Sequence, residues 1–375
     1  MPDLIEQAVS LLAKMYSQDE ALFSYSACLS YETVVNDFDS PTCLRYTVNV
    51  LAGLQRVPAE AGTFLKLETA TAQFIEKHLD AMTSVGDRGL LLFVLANGAG
   101  ESPTLRRSLL KIASTKETLR RATLQELCWL LLGLSRQAEM RSDDEAAQAA
   151  RHVFTLVERE YMNHDTLFPY HSSNRLRRRF VSFGSVTYFL MALHEYARVM
   201  GDAYADTLFR EGVQVIIGFQ GTAGEWAWFY DADRARIVDW YEIYTVHQAA
   251  MAPLFLLPAV DAGVEGAVEA VERGYRWIFG ENELGVSMLQ TDPFFTFRSL
   301  RRRGPLTRAR RYVRGAASRL PAIAGRRAPA WALELNPECR SYELGWLIYA
   351  WADRRDFSDF RTLAVTETLS SAHTG

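Results

Sequence analysis

Cysteine is scarce in this chain. The four present, Cys28, Cys43, Cys128 and Cys339, stand far apart with no CxxC pair, so neither a zinc site nor a disulfide scaffold is expected, and a reduced, cytoplasmic setting fits. A basic surplus is missing as well. The formal net charge is −4, opposite in sign to what nucleic-acid binders use to neutralise phosphates, so no nucleic-acid partner is expected. No apolar run is long enough to cross a bilayer: MAPLFLLPAV is short and interrupted by proline. The opening MPDLIEQAVSLLAKMY carries early acids on a helical pattern and lacks the basic start and apolar core of a signal peptide. GxxxxGK[ST], HExxH and GxSxG are all absent. LANGAGE near Asn97 has neither the spacing nor the preceding strand of a dinucleotide fingerprint. SDDEAA from Ser142 lacks the third acid of a metal-binding DDxxD and reads as a helix start. No metal and no cofactor are expected.

What the chain does have is helical periodicity. Apolar residues recur at i, i+3 and i+4 along most of the 375 residues, whereas strand-like alternation is rare. Helix starts are read at Ser40 with Pro41 before TCLRYTVNVLAGL, at Ser142 before DDEAAQAARHVF, and at Asn336 with Pro337 before ECRSYELGWLIYAWA. Starts and breakers together give roughly ten to twelve helices, many joined in hairpins. The segments 90–96, 124–134 and 181–193 are apolar over most of their circumference and are therefore buried on more than one side. Fully buried helices alternating with amphipathic ones are what a double ring of helical hairpins requires. The expected architecture is all-α, an α/α toroid with at most one small β-hairpin. One domain spans 1–375, with a basic insertion at about 298–330.

Two short stretches carry resemblances. QGTAGEW, with Gln220, Gly224 and Trp226, resembles the QxxxGxW motif of terpenoid cyclases and related α/α-toroid proteins, the superfamily that includes the six-hairpin glycosidases. The resemblance implies a structural tie between helix ends. WYEIY, Trp240 to Tyr244, resembles a stretch of the barrel domain of glucuronyl C5-epimerases, and this chain departs from that pattern at TVHQ. Those enzymes and the toroid polysaccharide lyases are implied to move a proton at a sugar C5 with tyrosine, histidine or glutamate.

The stretch 220–248 is also where chemistry concentrates. Seven aromatics lie between Trp226 and Tyr244. A loop or hairpin with its turn near Asp233 is expected, then a helix with Asp239 as N-cap and Glu242 completing a capping box. On that helix Trp240, Ile243, Tyr244, His247, Met251 and Leu254 share one face. An imidazole, phenols and carboxylates within two turns supply the groups for proton transfer, so Glu225, Glu242, Tyr244 and His247 are the catalytic candidates. Trp226, Trp228, Tyr230 and Tyr241 offer ring faces for sugar stacking or cation shielding, and Gln248 adds an amide. Arg45, His171, Arg175 and Arg340 are candidate holders of an anionic group.

The expected function is a carbohydrate-active enzyme, an epimerase, lyase or hydrolase on a saccharide that includes uronates. One rival is a terpenoid cyclase or prenyl-binding enzyme with Asp231 or Asp233 as its acid, although Arg234 stands where that family's pattern has a further Asp. A second is a non-catalytic scaffold for a glycan or protein partner. Between Arg298 and Arg327 there are eleven arginines and no acid. Interleaved apolar residues make that segment an expected peripheral attachment to an anionic membrane or a diphosphate lipid.

Overall fold

Asp3 caps the first helix by accepting the Ile5 N–H at 2.8 Å, and most of the fourteen α-helices among the described residues, the last being the short Ser358–Arg361, then alternate between two concentric layers. The computed structural model describes residues 3–30, 33–57, 64–174, 178–304, 325 and 327–362. Within these, α1 is Leu4–Lys14, α2 Cys43–Leu54, α3 Leu67–His78, α4 Val85–Val94, α5 Pro103–Ala113 and α6 Lys116–Arg121. Next come α7 Leu124–Arg141, α8 Asp144–Tyr161, α9 Phe183–Met200, α10 Ala203–Ile217, α11 Pro253–Asp261, α12 Ala267–Ile278 and α13 Ser341–Trp351.

The inner ring is α2, α4, α7, α9, α11 and α13. Each packs on the next, and α13 returns to α2, so the ring closes. Outside it, α3 covers α2, α5 covers α4, α8 covers α7, α10 covers α9, α12 covers α11, and α1 seals the closure against α13. Sequence decides the layer. The inner α4, α7 and α9 bury nearly unbroken runs such as Leu90–Val94, Leu127–Leu134 and Val186–Leu193, while α8 and α12 bury one stripe and expose Glu145 and Glu269.

Two inner helices approach closely because their contact is built of glycine. A Cβ on Gly133 of α7 would stand 2.1 Å from the Gly89 carbonyl oxygen of α4. In the QGTAGEW stretch, Gln220 Nε2 donates to the carbonyls of Gly224 (3.0 Å) and Ala270 (2.9 Å), and Trp226 is fully buried. Gly224 has φ +102, and a Cβ there would meet the Arg273 carbonyl oxygen at 2.0 Å. The motif thus fastens the end of α10 to α12, as its resemblance implies.

The two faces of the ring differ. Two of the turns leading from inner to outer helices are very short, between Arg141 and Asp144 and between Met200 and Ala203. The long connections, those after α1, α8, α10 and α12, lead from outer to inner helices and carry five small sheets of two or three strands among the described residues. The expected hairpin is present as Phe229–Asp231 with Arg236–Asp239, joined by Phe180–Ser182 into a three-stranded sheet. The other sheets go beyond the single hairpin expected, because strands of two to five residues are too short to show alternation.

Three helix starts need correction. Ser142 ends α7 in a left-handed conformation, and Asp143 is the true N-cap of α8, accepting the Ala146 N–H at 3.1 Å. Ser40 Oγ accepts the Thr42 N–H, while α2 begins only at Cys43. Pro337 does not start a helix. It separates the strands Leu333–Asn336 and Glu338–Cys339, consistent with the extended backbone favoured before proline, and α13 begins at Ser341. No helix among the described residues is long and apolar enough to cross a membrane. Of the basic stretch proposed as a membrane contact, residues 305–324 and 326 lie outside the described residues.

Candidate functional site

The long connections surround the N-terminal ends of the inner helices, and there the ring encloses a cavity of about 180 Å³. The first turns of the helices line it: Arg45, Tyr46 and Asn49 from α2, Gln125 and Trp129 from α7, Tyr188 from α9 and Tyr342 from α13. Trp228, Tyr244, His247 and Arg298 come from the connections. Because the helices direct their N-terminal ends to this mouth, their dipoles add to the guanidiniums in favouring an anion.

His247 opens a π turn, His247–Met251, in which the Ala252 N–H reaches back to the His247 carbonyl at 2.9 Å. Pro253 explains the irregularity. It has no N–H for the Ala249 carbonyl four residues back, and the Trp351 indole donates to that carbonyl instead, at 2.6 Å. Trp228 is placed by backbone bonds to Phe183 and Trp240. Its ring lies parallel to the imidazole, 5.8 Å between centroids and 5° between planes. Tyr244 stands 4.8 Å from Trp228 and 5.2 Å from His247. It sits on a two-residue strand paired with Ser299 and Leu300, which sets the Arg298 guanidinium 4.8 Å above its ring. Across the cavity Tyr46 and Tyr342 are 4.4 Å apart, and Trp129 meets Tyr188 edge-on at 4.9 Å.

Among the described residues that line the cavity, none is a carboxylate. Two acids stand directly behind its arginines. Asp87 of α4 holds Arg45 at 2.7 Å, and Glu343 of α13 holds Arg298 at 3.0 Å. Burial raises the Asp87 carboxyl above its ordinary value against the pull of Arg45. Burial likewise pushes Glu343 up to about 7, against Arg298 and Arg340. His247 is pushed down to about 3, chiefly by burial, with a backbone hydrogen bond at Trp226 opposing and the Arg298 charge assisting. Tyr342, Tyr188 and Tyr46 are all raised by burial. At neutral pH the cavity therefore presents a neutral imidazole, protonated phenols and two guanidiniums.

These shifts tie stability to pH with opposite signs. Folded Glu343 keeps its proton up to about 7, whereas an unfolded glutamate releases it near 4.5, so its contribution declines as pH rises through that window. Unfolded histidine takes a proton near 6.5 and folded His247 only near 3, so its contribution declines as pH falls through that interval. Relative to wild type, Glu343→Gln is expected to lose stability towards acid and His247→Gln towards neutral pH. Urea midpoints at pH 4.5 and 6.5 check this, and parallel behaviour of the two variants would contradict it.

The sequence-derived candidates divide. Tyr244, His247, Trp228 and Arg45 line the cavity, and Arg340 reaches it indirectly, donating to the Tyr46 hydroxyl at 3.3 Å. Trp226 lies behind the wall, stacked on Phe183, which in turn touches His247. The others lie elsewhere. Glu225 is fully buried in an ion pair with Arg327, whose guanidinium covers Trp240 at 4.1 Å. Glu242 accepts from the Ser299 hydroxyl at 3.1 Å. Tyr230 packs between Phe168 and Phe219. Tyr241 lies under Arg302, and Gln248 is buried facing Gly274 of α12. His171 bonds through its backbone to Leu124 and Arg178. Arg175 lies outside the described residues. Asp239 caps no helix: it ends a strand and pairs with Arg302 at 2.9 Å, and helical structure resumes only near His247. Asp231 is enclosed by guanidiniums and Asp233 is exposed on the turn. Neither lines the cavity, so the terpenoid-cyclase alternative draws no support.

No family model matches the sequence, and no curated protein matches it either. Solved structures do resemble it in fold. A sugar epimerase from a ruminal bacterium superposes with TM-score 0.61 at 12% identity, covering 93% of this chain and 97% of that one. Cellobiose 2-epimerase from Bacillus thermoamylovorans B4167 gives 0.61 at 11%, covering 93% and 98%. An unsaturated glucuronyl hydrolase from Bacillus sp. GL1, responsible for the degradation of glycosaminoglycan, gives 0.56 at 14%, covering 97% and 96%. The fold is a six-hairpin α/α toroid. At these identities the likeness establishes architecture and no more.

Sequence reasoning missed Tyr46, Asn49, Gln125, Trp129, Tyr188, Arg298 and Tyr342. One signal was available: each of these helical residues is a polar or aromatic side chain in the first turns of an otherwise apolar helix, which in a toroid means the mouth.

Proposed function

We propose that this chain is a carbohydrate-active enzyme that binds an acidic sugar in the central cavity and transfers a proton at a sugar carbon, as an epimerase or lyase. The observation that carries this reading is the group formed by His247, Trp228 and Tyr244 beside Arg298, inside a cavity with aromatic walls. Trp228 and the Tyr46–Tyr342 pair offer faces for stacking a sugar ring. Arg298 and Arg45 offer forked donors for a uronate carboxylate, which lowers the cost of forming a carbanion beside it. His247, neutral and buried, has a lone pair to accept the proton, and the Tyr244 hydroxyl returns one. Bringing a carboxylate to Arg298 offsets the charge that, with burial, depresses His247 and makes it a stronger base once substrate is bound. Hydrolysis by a pair of carboxylates fits less well, because no acid lines the cavity among the described residues. The fold likeness to sugar epimerases and a glucuronyl hydrolase agrees with a saccharide ligand.

Replacing Arg298 tests the anionic part of this reading. Arg298→Gln strands Glu343, so the double variant Arg298→Gln/Glu343→Gln is the cleaner probe. It is expected to weaken glucuronate binding by about tenfold or more while leaving glucose binding within about twofold. Equal losses for both sugars, measured by calorimetry, would argue against a carboxylate held there.

A further inference from the structure

Outside the cavity, charge gathers on the three-stranded sheet that leads away from it. Three guanidiniums converge on one carboxylate oxygen. Asp231 Oδ2 is approached by Arg179 at 2.7 Å, Arg234 at 3.3 Å and Arg236 at 3.7 Å. Asp231 is fully buried, whereas the arginine side chains keep 20%, 44% and 25% of their surface exposed. The only other acid of the turn, Asp233, bonds to the Tyr170 hydroxyl, and Arg178 covers that same ring at 4.3 Å. Asp165 also acts on that ring, so among the described residues four guanidiniums meet three carboxylates, and at Asp231 itself three guanidiniums face one. A sheet needs no such surplus to hold its register, since one arginine would satisfy Asp231.

The register fixes where this surplus sits. Ser182 pairs with Phe229 at the inner end of the sheet, and Phe180 pairs with Asp231 at its outer end. Ser182 and Trp228, the neighbour of Phe229, both line the cavity. Two residues of strand separate the ends, roughly 7 Å. The guanidinium cluster is therefore a neighbouring position on the rim, close enough for the second residue of a chain whose first residue occupies the cavity.

We infer that Arg179, Arg234 and Arg236 form a second anion subsite on the rim, which takes the acidic group of the adjoining residue of a polyanionic glycan. The inference rests on the saccharide reading of the cavity and extends it from a single acidic sugar to a chain of them. Forked donors on partly exposed side chains suit a carboxylate or a sulfate ester equally. Both chemistries share the prediction that affinity depends on chain length and on salt.

Calorimetry with the full chain tests this, using galacturonate, trigalacturonate and neutral cellotriose as probes. Wild type is expected to bind trigalacturonate about tenfold more tightly than galacturonate at low salt. That advantage is expected to shrink in 0.5 M NaCl. Arg234→Gln/Arg236→Gln should abolish it while leaving galacturonate affinity unchanged. The Arg179 pair with Asp231 is left in place so that the sheet keeps its buried partner. An advantage that survives the double variant, or an equal loss for cellotriose, overturns the subsite. If galacturonate fails to bind wild type, the cavity reading fails, and the rim is then judged on trigalacturonate alone. Binding abolished by the double variant supports it, and binding unaltered or absent overturns it. Heparin trisaccharide in place of trigalacturonate separates sulfate from carboxylate: tighter, equally variant-sensitive binding supports a sulfated chain at the same arginines.

Discussion

His247→Gln is expected to lower turnover of a uronate-containing saccharide by about 10²- to 10⁴-fold, the range that a positioned acid or base contributes. Tyr244→Phe is expected to do the same, because it removes one hydroxyl and leaves the ring that holds Trp228 and Arg298. KM should move much less than kcat in both, since the sugar-stacking faces and the guanidiniums remain. The two losses should not add. In Tyr244→Phe/His247→Gln the second change removes a partner from a proton relay already broken, and groups acting as a unit behave this way. A large rise in KM with kcat preserved would instead make His247 a binding group.

The second large effect concerns the ring itself. Gly133→Val is expected to destabilise the protein by about 3 kcal/mol or more, at the upper end of overpacking, because the added Cβ meets backbone and not a movable side chain. The urea midpoint, read by tryptophan fluorescence, would fall, and turnover of whatever protein remains folded would stay close to wild type. Gly133→Ala already places the offending atom, so it should show most of the loss. A mild effect from both would mean that α4 and α7 can separate without cost, contrary to the close crossing through Gly89.

These expectations show how unevenly structure could be read from sequence. The layers were legible, because a helix buried on all sides, such as α7 or α9, differs in composition from a one-striped helix such as α12. The QGTAGEW tie was legible too, since a glutamine reaching two carbonyls and a left-handed glycine are local devices. Tyr244 and His247 were paired for the wrong reason. The sequence places them three apart on a helical face, yet one sits on a strand and the other on a π turn. They meet because Pro253 forces the turn and Trp351, from the last inner helix, stabilises it.

Long-range partners account for the rest. Asp239 has the spacing of a cap, but Arg302 lies 63 residues further on, and its guanidinium offers a buried carboxylate more than a helix N-terminus does. Glu225 met Arg327 and Glu242 met Ser299 in the same way. No local pattern records such competition. The cavity wall from Tyr46, Trp129, Tyr188 and Tyr342 depends on ring closure, which brings α13 back against α2.

Proton movement by His247 and Tyr244 on a sugar held in this cavity leaves a trace in solvent isotope. It is tested most directly by incubating the protein in D₂O with glucuronate- and galacturonate-containing oligosaccharides and reading deuterium in the recovered sugar by mass spectrometry. Wild type is expected to install carbon-bound deuterium, with none above background from His247→Gln or Tyr244→Phe. Exchange that persists in both variants, or sugar that binds in the cavity without exchanging or being cleaved, would contradict it.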